Sequence, residues 1–212
     1  MSSNLPPDAP LPMRPGPETP LPGPGIPAIK QLPDESDAIA IQVQQVLQHT
    51  SQTLVLAESC TAGLIAATLG RIPGVSAVLA GSAVVYQVET KAAWLGVSRS
   101  LLDDPGPVSR EVAEEMASRV LAFTPHASVA LSITGHLGPE APRELDGVAW
   151  CAVAVRGGAV TATRLQLSCE SPDACPPPAA VVTVPPAVRR RRQVDAVRQA
   201  LQFLHGELVR RT

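Results

Sequence analysis

Apolar positions along this chain of 212 residues change their period several times, and each change predicts an element. From Ser36 to about His49, residues Ile39, Val43, Val46 and Leu47 share one helical face, with Ser36 as a suitable N-cap. Leu54, Val55 and Leu56 then run continuously, as in a strand buried on both faces. After the polar residues Glu58 to Thr61, the apolar positions Leu64, Ile65 and Leu69 return to helical spacing. Thr53 to Gly70 therefore reads as strand, turn and helix. The first N–H groups of that helix are unpaired and lie at the positive end of its dipole. A hydroxyl there, on Ser59 or Thr61, is either an N-cap or a nucleophile beside a site for a developing oxyanion.

The same reading continues down the chain. Val78 to Tyr86 predicts a second strand, and Thr90 to Leu95 a short helix containing Lys91 and ended by Gly96. Pro105-Gly106-Pro107 forces a turn before Ser109, the expected N-cap of a helix from Arg110 to about Phe123 with Val112, Met116 and Val120 on its apolar face. Ala127 to Ile133 predicts a third strand that runs into the glycine-containing loop Thr134 to Pro139. Gly147 to Val155 and Ala159 to Leu167 read as a hairpin, and about Arg190 to Val209 as a closing helix. The sum is an α/β fold: three layers, α/β/α, around a mixed, mainly parallel five-stranded sheet in a single domain. Loops following strands gather at one edge of such a sheet and form its site.

Two proline-rich segments fall outside this pattern. Met1 to Pro33 holds 11 of the 23 prolines and almost no large apolar residues, so residues 1–35 are expected to be a disordered or extended tail. Residues 168–188 contain six more prolines and are expected to form an irregular insertion within a domain spanning 36–212.

Composition narrows the function classes. A net charge of −2 gives no electrostatic reason to expect nucleic acid, and the one basic run is Arg189 to Arg192. There is no basic segment followed by an apolar stretch at the start, and no run approaches the roughly 20 apolar residues of a membrane span, which predicts a cytoplasmic protein without membrane contact. Cys60, Cys151, Cys169 and Cys175 form no CxxC pair and are expected as thiols. The four histidines show no ligand spacing, so neither a metal nor another cofactor is expected.

Five ordered motifs carry a resemblance beyond periodicity: ESCTAG (Glu58 to Gly63), GSAVVYQVETK (Gly81 to Lys91), LGV (Leu95 to Val97), GPVS (Gly106 to Ser109) and ITGHLGP (Ile133 to Pro139). Their order is similar to that of the CinA C-terminal domain family, the nicotinamide-nucleotide amidases, also described as competence/damage-inducible proteins. The resemblance implies a stand-alone amidase domain, with a proline-rich tail where longer members carry another domain. It also implies hydrolysis of the carboxamide of nicotinamide mononucleotide to nicotinate mononucleotide and ammonia, a step of pyridine nucleotide salvage, in a homo-oligomer whose partner is a small pyridine ribonucleotide. By motif, Ser59 corresponds to the nucleophile, with Tyr86 and Lys91 activating it. Glu58, Cys60, Thr61, Ala62, Gly63, Thr134, Gly135 and Gly138 correspond to the substrate surroundings, and Arg189 to a phosphate contact that any of Arg190, Arg191 and Arg192 could replace.

Lysine and tyrosine ordinarily titrate near 10, so a Lys91–Tyr86–Ser59 relay has two forms. Either Lys91 is depressed by burial or a neighbouring cation and acts as the base, or it stays charged and lowers Tyr86. The chain also departs from the family's usual pattern. Ala62 stands in place of a second glycine, which is strained if that position needs positive φ and harmless in a first helical turn. Ser82 replaces a glycine, Gln87-Val88 a polar pair, and His136 and Leu137 smaller or purely apolar residues, with His136 a second candidate base. The rival reading is a non-catalytic nucleotide-binding or interaction module of the competence/damage-inducible type.

Overall fold

The computed structural model describes residues 35–138, 141–167 and 186–211. The tail expected over residues 1–34 and most of the expected insertion, residues 168–185, lie outside the described residues.

The elements follow the order α1 (Glu35–His49), β1 (Leu54–Glu58), α2 (Leu64–Gly70), β2 (Leu79–Val84), α3 (Val88–Leu95), α4 (Arg99–Asp103), α5 (Arg110–Ala122), β3 (Val129–Gly135), β4 (Val148–Val155), β5 (Val160–Gln166) and α6 (Pro186–Val209). One sheet has the strand order β2-β1-β3-β4-β5. β1 pairs in parallel with β2 and β3, whereas β3–β4 and β4–β5 are antiparallel. The mixed sheet is thus half parallel rather than mainly so, because the final hairpin contributes both antiparallel pairs.

Alternation along the strands separates two cores. Leu54 and Leu56 of β1, with Leu131, Ile133 and Val153, face α1, α2 and α6 and pack against Val43, Leu47, Ile65, Leu201 and Leu204. Val55 and Ala57, with Ala130, Ala152 and Ala154, face α5 and meet Val112, Met116 and Val120. Burying each such Leu or Val stabilises the fold by about 1.5–3 kcal/mol. Alanines line the sheet on the second face and leave room for Met116. All five residues of β1 are buried, so this strand is the centre of the three layers.

Boundaries moved where local chemistry competed with periodicity. α1 starts at Glu35, which puts Ser36 inside the first turn instead of at the cap. β2 ends at Val84, two residues short of the expected Tyr86, and the Val85 N–H makes the last bond of its ladder with β1 by donating to the Glu58 carbonyl at 2.8 Å. Ser109 caps α5 by accepting from the Val112 N–H, and Gly96 takes φ 68° at the end of α3, both as expected. α4, of five residues, has too few apolar positions to show a period. α6 opens at Pro186 rather than Arg190: a proline at the first helical position loses no hydrogen bond, so the expected insertion ends earlier.

Two positions on the loops that follow β1 and β3 have backbone requirements. Ala62 has φ 53°, so its methyl group is strained; Ala62→Gly is expected to raise the unfolding free energy in urea titration by about 0.5–1 kcal/mol. At Gly135, a Cβ would lie 2.6 Å from Ala149 Cβ and 2.9 Å from the Val148 oxygen. Gly135→Ala is expected to lower the unfolding free energy from the same titration by about 1–3 kcal/mol.

Candidate active site

The turn Ser59–Gly63 and the loop beginning at Gly135 leave neighbouring parallel strands at the same edge. The Ser59 N–H donates to the Ile133 carbonyl at 3.1 Å, which seats the turn beside β3. Between them opens a cleft of ≈ 420 Å³, lined by Ser59, Cys60, Tyr86, Lys91, His136 and Arg189 among others.

At its floor, Lys91 Nζ lies 2.9 Å from Ser59 Oγ, 3.0 Å from the Val85 carbonyl and 3.2 Å from the Tyr86 carbonyl. Lys91 is 2% exposed. Burial lowers its amine from 10.5 to about 8, with Cys60 acting weakly in the other direction. The neutral form suits this geometry. An amine has two N–H groups for the two carbonyls and one lone pair, which then faces the Ser59 hydroxyl as acceptor. The ammonium is penalised more in the folded chain than in the unfolded one. That penalty is therefore complete below about pH 8 and relieved as the pH rises towards 10.5.

Lys91 reaches this place because only Val85, Tyr86 and Gln87 separate the end of β2 from the start of α3. Its N–H donates to the Gln87 carbonyl at 3.1 Å, which turns the side chain back under Val85 and Tyr86. Cys60 lines the cleft, yet burial pushes its thiol up to about 12, so it is protonated and a poor nucleophile. Burial raises Cys151 likewise.

Tyr86 departs from the expected relay. It meets Lys91 through its main-chain carbonyl, while its half-exposed ring turns outward and its hydroxyl pairs with Arg189. Lys91 is in direct contact with Ser59, with no tyrosine between them. His136 lines the cleft, and its N–H serves β-sheet pairing by donating to Val148.

Four residues expected around the substrate lie elsewhere. Glu58 is fully buried, and its carboxylate accepts from the Thr61 hydroxyl at 2.7 Å and from the N–H groups of Gly63, Ile65 and Ala66 at 3.0–3.1 Å. Glu58, Thr61, Ala62 and Gly63 thus form the support of the nucleophile turn and do not line the cleft. The N–H groups that open α2, expected to face an oxyanion, are occupied by this carboxylate. Those of Cys60 and Thr61 make no backbone–backbone hydrogen bond among the described residues. Thr134, Gly135 and Gly138 do line the cleft, although the Thr134 hydroxyl is committed to the Pro107 carbonyl at 2.7 Å.

The basic run separates by position on α6. Arg189 lines the cleft and donates to the Gly138 carbonyl. Arg192 is buried and forms a bidentate pair with Asp146 at 2.7 and 2.8 Å, while also donating to the Leu137 carbonyl. Arg190 and Arg191 are exposed. Gln193 reaches the Cys60 carbonyl at 3.2 Å, so the start of α6 ties down both loops. Sequence reasoning missed Asp146 and Gln193, and it held Arg192 as an alternative phosphate contact, whereas the structure pairs it with Asp146. The i,i+3 spacing of Arg189 and Arg192 was the available signal. Among the described residues, no three His, Cys, Asp or Glu side chains converge as a metal site, and no helix is long and apolar enough to cross a membrane.

Comparison with known proteins bears on the family and the fold. The sequence profile described as the CinA C-terminal domain matches residues 36–173. A CinA-like protein of Myxococcus xanthus is 39% identical over 136 residues, 63% of this chain and 32% of that one. A putative competence-damage inducible protein of Levilactobacillus brevis is likewise 39% identical, over 135 residues and the same shares. The chain thus spans about a third of the length of these curated relatives. Among solved structures, the competence/damage inducible protein CihA of Agrobacterium tumefaciens superposes with a TM-score of 0.69 at 28% identity, covering 83% of this chain and 97% of that one. The competence damage-inducible protein A of Klebsiella pneumoniae gives 0.70 at 26%, covering 82% and 97%. By profile, sequence and superposition together, this chain belongs to the CinA C-terminal domain family.

Proposed function

We propose that this protein is a serine amidase that hydrolyses the carboxamide of nicotinamide mononucleotide to nicotinate mononucleotide and ammonia. The observation that supports it most is the direct contact of Ser59 Oγ with a buried lysine amine at 2.9 Å, in a cleft that also holds an arginine. With its value near 8, Lys91 is neutral in roughly one molecule in ten at pH 7, against well under one in a thousand for an ordinary lysine.

In this mechanism Lys91 Nζ takes the Ser59 proton as Oγ bonds to the amide carbon, and the carbonyl oxygen becomes an oxyanion. The N–H group of Cys60, next to the nucleophile in the cleft lining, is the donor for it, worth roughly 3 kcal/mol when aligned. The Lys91 ammonium then returns its proton to the nitrogen, the C–N bond breaks and ammonia leaves. Water, deprotonated by Lys91, cleaves the acyl-Ser59 ester and releases the carboxylate product. Arg189 at the cleft wall is the cation for the phosphate, and Tyr86 is the group that holds Arg189 in its present pose.

The experiment is ammonia release from nicotinamide mononucleotide by the purified protein. Ser59→Ala is expected to reduce turnover to background, and Lys91→Ala to lower kcat by about 10²–10⁴-fold. Turnover surviving Ser59→Ala moves the nucleophile elsewhere. Ribotide binding without turnover in the native chain favours the non-catalytic binding module.

The base must be neutral, so the rate should climb with pH and level off above about 8, the value of the Lys91 amine. A pH–rate profile of kcat/KM that is flat between 6 and about 9, or that falls there, removes Lys91 as the base.

A further inference from the structure

We propose that Glu58 is the positioning residue of the nucleophile: its buried carboxylate holds the turn that carries Ser59 in register with the strand end that carries Lys91's carbonyl partners. This rests on the reading of Ser59 as the nucleophile and adds a residue that does not itself touch the reacting atoms.

The turn between β1 and α2 is held to β3 by the Ser59 N–H and to α6 by Gln193, and from beneath by Glu58. It includes two residues with positive φ, Ala62 at 53° and Gly63 at 92°. Its internal backbone bonds are Ala62 N–H to the Ser59 carbonyl and Leu64 N–H to the Thr61 carbonyl, both at 3.0 Å. Four further donors of this turn and of the start of α2 converge on Glu58. One oxygen, Oε2, accepts from Thr61 Oγ1, Gly63 N–H and Ile65 N–H; the other, Oε1, accepts from Ala66 N–H and from the Ser82 hydroxyl at 3.0 Å.

Ser82 makes the arrangement more than a helix cap, because it lies on β2. The Glu58 side chain therefore joins the turn to the neighbouring strand. Its own carbonyl accepts from the Val85 N–H at 2.8 Å, and the Val85 carbonyl in turn accepts from Lys91 Nζ. One residue thus links both members of the Ser59–Lys91 contact, through its side chain on one side and its main chain on the other. Five donors on two oxygens require a group that only accepts. Glutamine is nearly isosteric but must place an NH2 against one of those donors. With the amide nitrogen on the Oε1 side, the Ser82 hydroxyl can reverse and accept, whereas the Ala66 N–H cannot.

The test measures Ser59 without relying on any substrate. The full chain is treated with a small serine-directed fluorophosphonate, and the labelling rate of Ser59 is compared with kcat and KM for ammonia release, at a temperature where each variant is folded. Glu58→Gln is expected to label about 10- to 10²-fold more slowly, with kcat falling in parallel and KM nearly unchanged. Ser82→Ala should slow labelling about two- to fivefold. Leu204→Ala, a core change remote from the turn, should lose thermal stability yet label at the native rate.

Native labelling in folded Glu58→Gln, or slowing no greater than in Leu204→Ala, overturns the proposal. If Glu58→Gln does not fold, native labelling of Ser82→Ala does so. A native protein that labels at Ser59 but releases no ammonia loses the amidase reading, while the comparison among variants still decides the role of Glu58. A native protein that does not label at Ser59 overturns both.

Discussion

A carboxylate with no exposed surface must have donors for both oxygens or it cannot remain in the interior. Glu58 occupies that position at the end of the most deeply buried strand, and the loops around it are shaped by the donors it requires. The turn after β1 folds back so that three backbone N–H groups and the Thr61 hydroxyl reach it, and β2 contributes Ser82. The direction in which Ser59 leaves this turn is a consequence.

The second constraint is the opposite one, a lysine held where its charge is disfavoured. Among the described residues, Lys91 has no carboxylate within hydrogen-bonding distance; its partners are one hydroxyl and two carbonyls, which satisfy the amine without rewarding the ammonium. Desolvation therefore dominates and brings the group into the range where it can exchange protons near neutral pH. Cys60, next to the nucleophile, experiences the same burial with the opposite result, since a thiol disfavours its anion there. One dry environment thus favours a base and silences a neighbouring thiol. The start of α6 completes the site by tying the turn, the loop after β3 and the Tyr86 ring together through Gln193, Arg192 and Arg189.

Much of the architecture was legible in the chain because it follows from short-range rules. The continuous apolar run Leu54 to Leu56 marked the central strand, and Ser109 and Gly96 marked a helix start and a helix end through their own side-chain and backbone chemistry. The motif-bearing residues Ser59 and Lys91 were legible as a pair, although 32 positions separate them. α4 was not, since five residues carry no measurable period. The roles of Tyr86 and Glu58 were misplaced for a common reason. Both are polar residues adjoining a nucleophile, and sequence does not record whether such a side chain faces the cleft or the support behind it.

The sequence by itself determined the layers of the fold and the strand–turn–helix that presents Ser59, because periodicity, glycine and proline act within a few residues; the lysine that can meet Ser59 was implied by the family motif Gly81 to Lys91. Only the tertiary structure decided that Lys91 is desolvated and touches Ser59 directly, that Ala62 takes a positive φ, that Arg189 faces the cleft while Arg192 is buried against Asp146, and that Glu58 is enclosed. Each of these depends on burial and on donors brought from β2, β3 and α6. Solvation and long-range hydrogen bonding are properties of the packed chain, and no local stretch of residues contains them.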